Sequence, residues 1–155
     1  GRFKMKKLVY LMWIFLGSTL IYSCKEDDSL PISQDQLLRA NEWQLKETRK
    51  ISKNKTIIDK LVECERRSTL DFRDIEKYTE NQYKTIENNC QLTSTEGTYI
   101  YETAPSKRTL SLKKTTGETK QYYMYQLDPY YLILQEDITE NDTVKQFLSV
   151  YQPKK

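Results

Sequence analysis

Hydrophobic positions fall into two regimes along this chain. Residues 8–21 form an almost unbroken apolar run, interrupted only by Gly17, Ser18 and Thr19, with Lys6 and Lys7 before it and Ser23-Cys24 at its end. Beyond residue 35 the apolar positions become short and alternating. Trp43 and Leu45 begin a strand pattern, and Ile57-Ile58 suggests a short second one. Leu70 and Phe72 share one face of the next, and residues 78–86 read as a polar strand. Residues 98–102 (TYIYE), 109–113 (TLSLK), 121–127 (QYYMYQL), 130–135 (YYLILQ) and 144–151 follow. Period-two alternation over four to eight residues between turn signals is the mark of strands. Turns are expected at 74–77, near 95–97, at 104–107, at 116–118, at Asp128-Pro129 and at 140–142, where Gly, Pro, Asn and Asp gather. Residues 36–40 read as one short helical turn, stopped by Asn41.

Eight or nine short strands joined by tight turns, without a long helical crossover, predict an all-β antiparallel sandwich or barrel, and consecutive hairpins favour an up-and-down meander. Residues 122–125 and 130–134 carry apolar groups on both faces, as strands buried on both sides do. The Tyr-rich faces are ordinary β-formers in one reading and a surface for a sugar or protein in the other.

The apolar run has a basic start, an apolar middle and a small residue at its end, which is the pattern of a secretory signal. It is shorter than the roughly 20 apolar residues of a membrane span, which is the competing reading. Residues 20–24 (LIYSC) resemble a bacterial lipobox, in which the Cys becomes the first mature residue and carries acyl chains. The resemblance implies lipidation of Cys24 by a diacylglycerol and fatty chains such as palmitate. Several chains on one residue make a stable membrane anchor, since each buried CH₂ contributes about 0.8 kcal/mol. Residues 25–28 (KEDD) resemble the export signal of surface lipoproteins in the Bacteroidetes group, and they also read as a solvated tether. These resemblances place the protein on the outer membrane, lipid-anchored and exposed at the cell surface. Met5 is a plausible start, with residues 1–4 preceding it. The expected organisation is a signal peptide at 1–23, a lipidated tether at 24–35 and one domain at 36–152.

Removing the leader changes the charge. The chain of 155 residues carries a net charge of +3. Arg2, Lys4, Lys6 and Lys7 lie in the leader, leaving 21 basic residues against 22 acidic ones, a net of −1. A nearly neutral domain of mixed signs has no electrostatic footprint for nucleic acid. Of the three cysteines, an acylated Cys24 leaves Cys64 and Cys90. In an oxidising compartment these pair as a disulfide worth roughly 3 kcal/mol; two buried free thiols are the alternative.

The chain has no histidine, which removes the commonest general base and metal ligand. Paired carboxylates occur at Asp27-Asp28, at Glu63/Glu65 and at Glu136-Asp137. Neighbours on a strand point to opposite faces, so the last cannot act as a glycosidase pair. Asp137, Glu140 and Asp142 lack calcium-loop spacing. With four glycines there is no phosphate-cradling loop. No catalytic residue, metal or cofactor is therefore expected.

The order of a helical turn, Trp43 opening a strand, a Cys, TLDF, a second Cys, EGTYIYE, RTLSLKK, QYYMYQLDPYYLILQE and a closing strand resembles the lipocalin-like domains of Bacteroidetes lipoproteins. Residues 41–43 (NEW) keep the Trp of the lipocalin Gly-x-Trp motif without its Gly, and Lys145 stands on the last strand where lipocalins often carry an Arg. The resemblance implies an eight-stranded antiparallel up-and-down barrel with a short N-terminal helical turn. Such a barrel holds its own side chains or one small ligand. The expected function is non-enzymatic binding of a small apolar or glycan ligand, with Trp43, Tyr99, Tyr101, Tyr123, Tyr125 and Tyr131 as candidate contacts. Docking of a cell-envelope partner on an exposed strand face is the alternative. The sequence leaves the oligomeric state open.

Overall fold

A computed structural model describes residues 33–103 and 107–155. The signal segment, Cys24, the 25–28 tetrad and residues 104–106 of one expected turn lie outside the described residues. Among the described residues no helix is long and apolar enough to cross a membrane.

The domain opens with α1 (Gln34–Arg39), whose N-cap Ser33 accepts from the Gln36 amide. An N-cap hydroxyl satisfies one of the amides that a helix start leaves free. The strands are β1 (Glu42–Ser52), β2 (Lys55–Asp59), β3 (Thr69–Asp71), β4 (Lys77–Ile86), β5 (Asn89–Thr103), β6 (Arg108–Lys114), β7 (Thr119–Leu127), β8 (Leu132–Glu140) and β9 (Thr143–Pro153). All pairings are antiparallel, each of β3 to β8 pairs with the next, and β1 pairs with both β3 and β9. Eight strands thus close into an up-and-down barrel, with β2 as a ninth strand on the far half of β1.

Three hairpins turn through two residues in the left-handed region: Lys53-Asn54, Glu87-Asn88 and Asn141-Asp142. Positive φ at both turn residues matches the twist of the flanking strands, and Asn and Asp tolerate it best. The β6–β7 turn places Gly117 at φ 104°.

The expected turn near 95–97 is instead the middle of β5. Gly97 lies opposite Tyr78 on β4 and Lys114 on β6. A Cβ there would collide with the Lys113 carbonyl oxygen and approach the Tyr78 ring to 2.7 Å. The glycine serves close approach inside the strand, a role that Gly can also fill. The strand expected over 68–73 pairs only at Thr69–Asp71, although Leu70 and Phe72 are both buried.

Antiparallel partners point the same way, so the register assigns every residue a face. One half of the interior is a filled floor. Leu38, Trp43, Leu70, Phe72, Tyr78, Leu110, Leu112, Met124, Leu127, Leu132 and Leu134 form one buried cluster. Trp43 is fully buried, and its indole N–H donates to the Leu38 carbonyl at 2.9 Å, fastening α1 beneath the barrel. Phe72 meets Tyr99 edge-on at 5.1 Å. On the outer face Ile133, Leu148 and Val150 form a second cluster with Ile51 and Tyr131 against it. The two-sided burial of β8 expected from its sequence is thereby present.

Candidate functional site: a charged cavity in the open half of the barrel

Beyond the floor the inward positions turn polar. The strands run on past Leu70, Leu112 and Leu134, and their inner faces then carry Glu80, Gln82, Lys114, Lys120, Glu136 and Ser149. These residues, with Thr48, Tyr122, Phe147 and Tyr151, line a cavity of about 610 Å³. A smaller lobe beside the β6–β7 turn shares Glu80, Lys114, Lys120 and Tyr122 with it and adds Tyr78 and Leu112.

The wall of this half is incomplete. β2 pairs with β1 alone, and β4 beyond Asn81 pairs with β5 alone. The 60–68 segment fills the space between them, and Leu61, Glu65 and Ser68 reach the cavity. Its 3₁₀ turn, Glu65–Arg67, packs on β1 and β4, and the Ser68 hydroxyl accepts from the Tyr83 amide at 3.0 Å. The Cys64–Cys90 disulfide joins this segment to the start of β5.

Electrostatics set this half apart from the floor. Lys120 Nζ lies 2.6 Å from Glu136 Oε1, an ion pair drawn across the inner wall from β7 to β8. Lys114 pairs with Glu118 at 3.2 Å. Glu80 makes no ion pair or hydrogen bond among the described residues. Burial raises its pKa above the usual glutamate value, Lys120 and Lys114 pull it down, and Glu136 pushes it up again. Burial likewise raises the Tyr122 and Tyr151 phenols, and the Glu80 and Glu136 charges add to the effect on both. Both hydroxyls are protonated across the physiological range and can donate or accept a hydrogen bond.

The candidate contacts expected from the sequence divide by face. Trp43 points inward but is sealed under the floor. Tyr99 and Tyr101 also point inward and pack against the floor cluster, and the Tyr101 hydroxyl donates to Gln34 Oε1 at 3.0 Å. Tyr123 and Tyr125 are exposed, and Tyr123 pairs with outward-facing Gln135. Tyr131 packs on the outer cluster, with Lys46 Nζ 5.7 Å from its ring centroid. None of these six lines the cavity; its aromatic residues are Tyr83, Tyr122, Phe147 and Tyr151, with Tyr78 in the smaller lobe. Alternation along β7 is why Tyr123 and Tyr125 part from Tyr122. Glu136 faces in and Asp137 out, as alternation requires, and Glu140 is engaged by Lys50 and Lys145. Among the described residues no three His, Cys, Asp or Glu side chains converge as a metal site.

An arrangement of this kind can bind, orient and partly enclose a small molecule, with donors and acceptors of both charges on its wall. A search of curated proteins finds no match. Among solved structures, the bovine lipocalin allergen Bos d 2 is similar, with 13% identity and a TM-score of 0.43 over 76% of this chain and 73% of that one. The family model described as a lipocalin-like domain matches residues 40–134, from just before the first strand into the start of β8, and the chain belongs to that family.

Proposed function

We propose that this protein is a non-enzymatic binding module that takes a small polar, hydroxyl-bearing ligand, of the glycan kind, into the open half of its barrel. The observation that carries the reading is the contrast between the two halves of the interior. The floor is closed by Trp43 and its apolar neighbours, while about 610 Å³ above it is lined by Thr48, Gln82, Ser149, Tyr122 and charged groups. Small-molecule sites commonly span about 300–1,000 Å³. An apolar ligand would strip water from these polar groups without replacing their hydrogen bonds, at a cost of about 1–3 kcal/mol each. Native mass spectrometry on the protein purified from its own cells tests the reading. A noncovalent adduct, lost when Ser149→Trp fills the cavity, supports it; a ligand-free protein that also ignores a panel of free sugars counts against it.

The proposal includes an anchor. The signal pattern and Cys24 support a lipoprotein tethered to the outer membrane, so Cys24→Ser should move the protein from the membrane to the soluble fraction. Sedimentation of the variant with membranes would favour the uncut-span alternative. A second reading, docking of an envelope partner, is supported by exposed Tyr123, Tyr125 and Tyr130. Crosslinking in intact cells through these tyrosines would separate it from ligand binding.

A further inference from the structure

Resting on the cavity reading above, we infer that the open half of the barrel selects ligands bearing a protonated amine, which the Glu80 carboxylate receives. Glu80 stands on the inner face of β4, opposite Leu70 on β3 and Thr95 on β5. Of the lining charges without an ion pair among the described residues, Glu65, Glu80 and Lys84, it is the one that also lines the smaller lobe. Lys120 is held by Glu136 at 2.6 Å, and Lys114 is turned toward Glu118 at 3.2 Å. No described side chain or amide donates to Glu80, so its acceptor sites are left to whatever enters the cavity. An ionised carboxylate accepts only, so its complement is a donor, and a charged donor gives the strongest bond.

The rings around Glu80 point to the same chemistry. Tyr78 shares its lobe and Tyr151 lines the main cavity beside it, while the Tyr122 ring already carries Lys120 Nζ 5.1 Å from its centroid. Aromatic faces attract a cation that has left water, and the attraction grows with desolvation. A carboxylate among tyrosines thus offers an ammonium group two attractions. An anionic ligand would meet Glu80 and Glu136 together, with Lys114 and Lys120 already paired and only the exposed Lys84 of the lining lysines left without an ion pair among the described residues. A neutral ligand without a donor leaves the Glu80 carboxylate unbonded in a partly dry site, which is costly. Thr48, Gln82 and Ser149 remain for the hydroxyls of the same molecule.

The experiment is calorimetric titration of the full-length protein, stripped of any co-purified ligand, with two matched pairs: glucosamine against glucose, and tyramine against 4-ethylphenol. The members of each pair differ chiefly in the amine. The amine member is expected to bind about tenfold more tightly or better than its partner. Glu80→Gln, which keeps the shape and removes the charge, should bring the amine down to its partner's level and leave the partner unchanged. Circular dichroism and thermal melting of that variant confirm that it folds. Equal binding within both pairs, or a preference that survives Glu80→Gln, overturns the amine inference and leaves the cavity reading standing. Failure of all four probes to bind overturns both.

Discussion

Replacing Cys64 and Cys90 together by serine should cost this domain stability in a spatially uneven way. The bond links residues 26 apart in sequence. Loop-closure entropy for that separation gives about 3.5 kcal/mol at 25 °C. For a domain of this size the loss corresponds to a fall in Tm of roughly 10–15 °C. The structure says where the loss is felt first. Residues 82–93 form a two-stranded ribbon whose outer neighbour is the 60–68 segment rather than a paired strand. An isolated ribbon is marginal in water. With the bond gone, the ribbon and the 60–68 segment should open locally while the floor stays closed. Hydrogen exchange followed by mass spectrometry reads this directly. Amides of 82–93 should exchange much faster in the double variant, and those around Trp43, Leu110 and Leu132 should change only with global stability. A loss below about 1 kcal/mol with unchanged exchange over 82–93 would refute the reasoning that the bond staples the barrel wall.

Four further perturbations follow from the same geometry. Trp43→Ala should cost about 3–5 kcal/mol by cavity formation, and Trp43→Phe less while leaving the Leu38 carbonyl unpaired; urea melts measure both. Gly97→Ala should destabilise strongly, because the colliding atom is backbone and cannot swing away; a Tm equal to the native protein's would contradict this contact. Asp71 is held below the usual carboxylate range by its bond to Arg73; for Asp128, burial pushes upward, but bonds from Gln126 and the Tyr130 and Tyr131 amides outweigh it. Depressed carboxyls contribute stability above their unfolded pKa and lose it as pH falls through the folded value, so Asp128→Asn should flatten the acid limb of urea midpoint against pH. Glu80 has the opposite sign: its raised pKa means stability present when protonated and lost as pH rises through the folded value, so Glu80→Gln should stabilise the protein at neutral pH.

Much of the architecture is legible in the sequence because one wall face is apolar. TLSLK fixes the face of β6, and the same alternation places Leu70 on β3 and Tyr99 and Tyr101 on β5. Gly97 misleads because one residue type serves both tight turns and close approaches; only the Tyr78 ring and the Lys113 carbonyl decide between them. The β7 tyrosines mislead for another reason: alternation separates Tyr123 and Tyr125 from Tyr122 but does not say which set faces in. A strict period of two through QYYMYQL would put Tyr123 and Tyr125 on one face and Met124 with Gln126 on the other. The irregular register instead returns Leu127 to the interior alongside Met124. The cavity is the least legible part. Glu80, Lys120 and Glu136 read as solvated residues, because a polar interior looks like a polar exterior until the barrel closes around it.

The most direct measurement is an NMR comparison of the protein carrying its co-purified ligand with the same protein stripped of it. The account predicts shifts concentrated at Glu80, Tyr122, Ser149 and Tyr151, with the floor around Trp43 and the outer Tyr123 and Tyr125 unmoved. Shifts confined to the outer face, or to the floor, would contradict it.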